Sequence, residues 1–183
     1  MYILSKITIA LICIFFSTIC FAQSEIPVTF MMQADVTPIT AGFKIKSAVA
    51  SPDKITVRYD LGDETFNDAH STLIVDTNIP AERSESFYYD LSLIKNEASC
   101  LLYSGKTVPY DAPTLEITNN EDVFVNISTE NPLLWQKFDD VISETKANIK
   151  DINISFAQIP STDFINNYKN CTGEVTLMVG LSI

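Results

Sequence analysis

Catalysis at neutral pH needs groups poised to move a proton, attack a carbon or hold a metal. The 183-residue chain carries few of them. His70 is its only histidine, so any Ser/His/Asp or Cys/His constellation must be built on it. It follows Asp68 and Ala69 in a turn-like stretch, and its expected place is a solvated loop. Asp60, Asp63, Glu64 and Asp68 offer the oxygen ligands calcium takes, yet their spacing lacks the glycine turn and terminal glutamate of an EF-hand loop. That patch is expected to be a solvated turn. With five glycines in the whole chain there is no Gly-rich loop to cradle a phosphate. The chain reads as something other than an enzyme, with no metal or cofactor expected.

Two of the four cysteines stand in the first 22 residues, which read as a cleaved secretory signal. Lys6 precedes an apolar run from Ile7 to Phe16, and Cys20-Phe21-Ala22 places small residues where a signal peptidase reads, so cleavage is expected after Ala22. The run is short of the roughly 20 residues that a membrane span needs. Ile19 is too bulky for a lipoprotein site at Cys20. Removing the signal leaves about 160 residues, enough for one domain with a sizeable core. Cys100 and Cys171 remain, and in a compartment that permits disulfides a bridge is expected over two buried free thiols. The formal net charge of −11, one unit more negative once Lys6 leaves, argues against nucleic acid and anionic membranes as partners.

No internal repeat, low-complexity tract or Pro/Gly/Ser linker divides the remainder. Its elements are strand-like almost throughout. Ile55–Tyr59 alternates and runs into a turn at Leu61–Glu64. Ser71–Thr77, Phe87–Leu93, Leu115–Thr118, Val123–Ile127 and Ile152–Phe156 follow, and Pro109 marks Thr107–Tyr110 as an edge strand. The last strand is the clearest, with Val175, Leu177, Val179, Leu181 and Ile183 on alternate positions. One segment breaks the rhythm. After Asn131-Pro132, the spacing of Leu134, Phe138, Val141, Ile142 and Ile149 predicts a short helix over 132–145, with Trp135 either core or the centre of a binding surface. Three Asn-x-Ser/Thr triplets start at Asn126, Asn153 and Asn170, the first two inside expected strands. Many short strands with regular turn signals argue an all-β sandwich.

Ahead of that body lies Ile26–Val36, in which Val28, Phe30, Met32, Ala34 and Val36 alternate. A strand so patterned offers one apolar edge to a groove. Near a free end it must be tied down, either within its own fold or on another molecule.

These residues resemble the pilin subunits of chaperone–usher fimbriae, most closely the alpha or alternate class that includes colonisation-factor fimbriae. Ala34-Asp35-Val36-Thr37-Pro38 is similar to that family's N-terminal extension. Ile55–Tyr59 with Thr65-Phe66, Leu73–Asn78, and Thr172–Leu177 are similar to three of its body strands. The resemblance implies an immunoglobulin-like sandwich at 39–183 that lacks one strand, with a donor-strand extension at 23–38. Val28, Phe30, Met32, Ala34 and Val36 would be the donor residues, and Val175, Leu177, Val179, Leu181 and Ile183 would line the groove. It further implies a subunit exported through the periplasm to a surface fimbrium, polymerising head to tail by strand donation and contributing to adhesion. Its partners would be other subunits, a periplasmic chaperone, an outer-membrane usher and an unidentified host receptor. The residues alone leave open a monomeric secreted or periplasmic binding module in which 26–36 pairs inside its own sandwich.

Overall fold

A computed structural model describes residues 28–37 and 42–182; within the first stretch, only the side chains of Met31, Met32 and Gln33 are described. The expected signal at 1–22, the connection at 38–41 and Ile183 lie outside the described residues. The chain forms β1 (Val28–Thr37), β2 (Ile45–Ser51), β3 (Lys54–Val57), β4 (Tyr59–Asp60), β5 (Thr65–Phe66), β6 (Ala69–Pro80), β7 (Tyr88–Leu102) and β8 (Thr107–Tyr110). There follow β9 (Thr114–Thr118), β10 (Phe124–Ile127), β11 (Leu133–Lys137), β12 (Asp140–Ile142), β13 (Thr145–Ser155), a helix α1 (Ser161–Asn167) and β14 (Tyr168–Ser182).

These strands make an all-β sandwich. One sheet runs β11-β7-β14-β1-β3, with β8 also on β7. The other runs β10-β9-β13-β6-β2, with β12 also on β13. Residues that are apolar at every second position bury one face of each sheet in a shared core: Leu73, Val75 and Ile79 from β6, Ile152 and Ile154 from β13, Tyr89, Leu91 and Leu93 from β7, and Val175, Leu177 and Val179 from β14. Pro109 does lie on an edge, in a strand paired only with β7.

One end of the core is aromatic. Phe66 meets Tyr59, Tyr110, Phe156 and Phe164 edge to face, with ring centroids 5.6–5.9 Å apart. The hydroxyls of Tyr59 and Tyr110 donate to the carbonyls of Ile159 and Ala157, so both rings are half-buried without stranding a polar group. Phe164, the one buried residue of α1, stacks on Tyr59 at 3.6 Å.

The helix expected over 132–145 is not there. That segment is β11, β12 and the start of β13. Of the residues that suggested a helical face, Leu134, Val141 and Ile149 are exposed and only Phe138 is deeply buried. Hydrogen bonds decide the conformation. The Trp135 amide donates to Asp90 Oδ1 at 2.8 Å, and the Asn120 side chain bonds both the Trp135 carbonyl and the Lys137 amide. They hold a bulge with Trp135 at φ 54°, outside the helical region. Asn131, expected as a helix cap, instead closes the β10–β11 turn through Ser128 and Asn126.

The β12–β13 hairpin turns through Ser143 and Glu144, both at positive φ, between the paired residues Ile142 and Thr145. Such a two-residue turn favours glycine at its second position, because an L side chain is strained there. Glu144→Gly should therefore raise unfolding stability by about 1 kcal/mol. The midpoint of urea unfolding checks this, and an unchanged or lower midpoint would refute it.

Candidate functional site: the strand slot beside β14

The groups singled out for chemistry do not converge. His70 lies exposed within β6, opposite Asn153 of β13, rather than in the loop expected for it. Asp60 Oδ1 accepts from the amides of Gly62 and Asp63, shaping the turn after β4. Glu64 accepts from the Ser161 amide at 2.9 Å, and this bond holds its carboxyl below the ordinary range. Among the described residues no three His, Cys, Asp or Glu side chains are grouped to hold a metal. Lys150 is buried, donating to the Asn119 carbonyl at 2.6 Å; burial pushes its pKa down, against the pull of Asp122, Asp139 and Asp140. Trp135 is exposed, edge-on to Tyr88 at 6.0 Å, and is not core. Cys100 and Cys171 are bridged, at directly opposite positions of β7 and β14.

What the fold does assemble is a slot. β14 is an antiparallel partner of β7 along nearly its whole length, and its other edge is covered by β1. The pairing with β1 is parallel and runs from Thr29 opposite Thr172 to Thr37 opposite Gly180. It is the one parallel ladder among the described strands, every other pairing being antiparallel. On its far side β1 pairs antiparallel with β3, from Val28 opposite Val57 to Met31 opposite Lys54, and the Met32 amide adds a bond to the Asp53 carbonyl. Among the described strands β3 has no other ladder partner. Taking β1 away would leave a four-residue strand unpaired and a long edge of β14 bare.

The residues expected in this joint fall as follows. Phe30 stands in register with Gly173 and with Ile55, Met32 with Val175, Ala34 with Leu177, Val36 with Val179, and Val28 with Val57. The side chain of Met32 packs against the core; those of Val28, Phe30, Ala34 and Val36 lie outside what is described. Phe30 is thus matched with a residue that has no side chain. On the body side, Val175, Leu177, Val179 and Leu181 are all buried, the apolar face that the alternation in the sequence called for. Ile183 lies outside the described residues. An open depression of about 670 Å³ at the end of the slot has Met31, Ala98, Val108 and Gly173 in its lining.

The disulfide ties the slot's wall to the rest of its sheet, because Cys171 immediately precedes Thr172, where the pairing with β1 begins. Besides β11 and β12, sequence reasoning missed β2 and the start of β14 from Tyr168 to Cys171. In β2 a register shift between Ile45 and Ser47 breaks the alternation that would have marked it. No protein-family model matches the chain, and no curated protein matches it either.

Proposed function

We propose that the chain is a structural subunit of a surface fimbrium that polymerises by donating its N-terminal strand to the slot of the next copy. The supporting observation is the position of β1, which holds the first sheet together while belonging to it only through an N-terminal arm. Main-chain bonds hold a strand added to a sheet edge, and pockets read its alternate side chains. The period of two makes the apolar face of 28–36 the same whichever way the strand runs, so the same arm serves a slot in its own body or in another. Donation from one body to the next is heterologous and does not close, so it yields a filament. A periplasmic chaperone and an outer-membrane usher are the partners this reading requires, and adhesion to a host receptor is its expected use.

A second reading draws on the same ladder. Because 28–37 is paired within its own chain, the protein could be a monomeric exported β-sandwich that binds another molecule. Phe30→Asp separates the two. It sets a carboxylate in the middle of the donor face, with no cation at its register partners Gly173 and Ile55. In cells that make the subunit with its export and assembly partners, this variant should still be captured in the periplasm yet form no polymer, seen as loss of high-mass surface material. Normal assembly of the variant would end the fimbrial reading.

A further inference from the structure

We infer that the outward side of β11 carries a binding site for a neutral oligosaccharide, with the Trp135 indole as the face on which a sugar ring stacks. The site goes beyond both readings above, because it lies on a surface that neither of them uses. β7 stands between β11 and β14, so the site and the slot are separate.

Trp135 is 56 % exposed and adds nothing to the core. Its backbone sits at φ 54°, where any L side chain is disfavoured, so the fold holds this conformation at a cost. Side chains from two other elements enforce it. Asp90 of β7 accepts the Trp135 amide, while Asn120, in the turn after β9, bonds the Trp135 carbonyl and the Lys137 amide. Behind that turn the buried Lys150 donates to the Asn119 carbonyl. A merely exposed ring needs no such scaffold. The perpendicular contact with Tyr88 takes at most one face of the indole. Lys137 and Tyr88 are register partners next to the buried pair Gln136 and Tyr89, so alternation puts both on the outward side with Trp135.

Charge and polarity select the occupant. On a chain of formal net charge −11, with Asp90, Asp122 and Asp139 around these turns, an anion is repelled. A cation would meet carboxylates already engaged, Asp90 by the Trp135 amide and Asp139 by Lys137 at 2.7 Å, with the Lys137 ammonium set against it. An apolar partner would have to strip water from that half-exposed ion pair. A sugar suits all three conditions: it is neutral, its C–H face matches the indole, and its hydroxyls can bond Lys137, Asp139 and Asn120 at the rim.

Trp135 is the only tryptophan in the chain, so its fluorescence reads this site alone. Lactose, maltose and cellobiose are titrated into the mature full-length protein, and at least one should give a saturable change in emission at millimolar concentration. N-acetylneuraminic acid and choline chloride should give none over the same range. Trp135→Gly suits the positive φ and should melt no lower than the parent. It should weaken the bound sugar at least about tenfold by ligand-observed NMR, the worth of one stacked ring. Trp135→Phe should fall between the two. Silence with all three sugars, a stronger response to either charged probe, or unchanged affinity in Trp135→Gly overturns the site. None of these outcomes involves β1, so the fimbrial reading stands or falls by Phe30→Asp alone.

Discussion

A chain made without residues 23–38 should fail to hold a stable fold by itself, and a synthetic peptide of residues 26–38 supplied in trans should restore it. The magnitude follows from what the arm covers. Val175, Leu177 and Val179 are at most 2 % exposed in the intact sandwich, and Val57 on β3 is 5 % exposed. Burying an aliphatic side chain contributes about 1.5–3 kcal/mol, while a whole domain is stable by only about 5–15 kcal/mol. Losing cover over several such residues consumes most of that margin. The bare edge of β14 adds a second hazard, because an open apolar strand edge templates aggregation. The measurements are soluble periplasmic yield, thermal unfolding and elution volume, with and without the peptide. A truncated body that melts at the same temperature as the full chain would mean that β1 adds nothing to the fold, and the slot would lose its meaning.

Much of this architecture was legible because a half-buried strand leaves a period-two signature. Val175 through Leu181 alternate in sequence and alternate in burial. A different signal, the β-branched run Ser71–Thr77, located β6, where the burial pattern alternates without interruption from Ala69 to Pro80. The failures have specific causes. In 132–145, apolar residues at helical spacing are mostly exposed, and side-chain bonds from Asp90 and Asn120 impose a bulge that no periodicity encodes. Both partners are distant in sequence or lie in a turn, so the determinant is tertiary. The true helix, α1, is short and buries one residue, too little to make a stripe. Its start is fixed by Pro160 and by Glu64, which is far away in the chain.

The candidate site shows the same division. Alternation marked the two strands and the even cysteine count the bridge, whereas the pairing of arm and groove came from the family resemblance. What alternation could not give is the direction of the arm or which body it joins. A strand reversed end for end keeps its face, so the sequence is blind to parallel against antiparallel. Within one chain the ladders give the answer, parallel to β14 and antiparallel to β3.

Removing the bridge by Cys100→Ala with Cys171→Ala should lower stability by about 4 kcal/mol, the loop-closure entropy that a cross-link of this span takes from the unfolded chain. The two residues are 71 apart in sequence, so about half of the body lies inside the closed loop. Alanine is the right substitute because both sulfurs are buried, at 0 and 1 % exposure, and serine would strand a hydroxyl there. For a domain of this size the loss should appear as a fall of about 12 °C in the melting temperature. The effect should also be uneven along the molecule. The bridge joins β7 to β14 just ahead of Thr172, where the arm's ladder starts, so hydrogen exchange should rise most at the Thr172–Val175 end of the slot. A variant that lost about 4 kcal/mol with uniform exchange would place the whole effect in the unfolded chain. Faster exchange confined to the slot would mean that the bridge also fixes the wall against which any arm, its own or a neighbour's, must register.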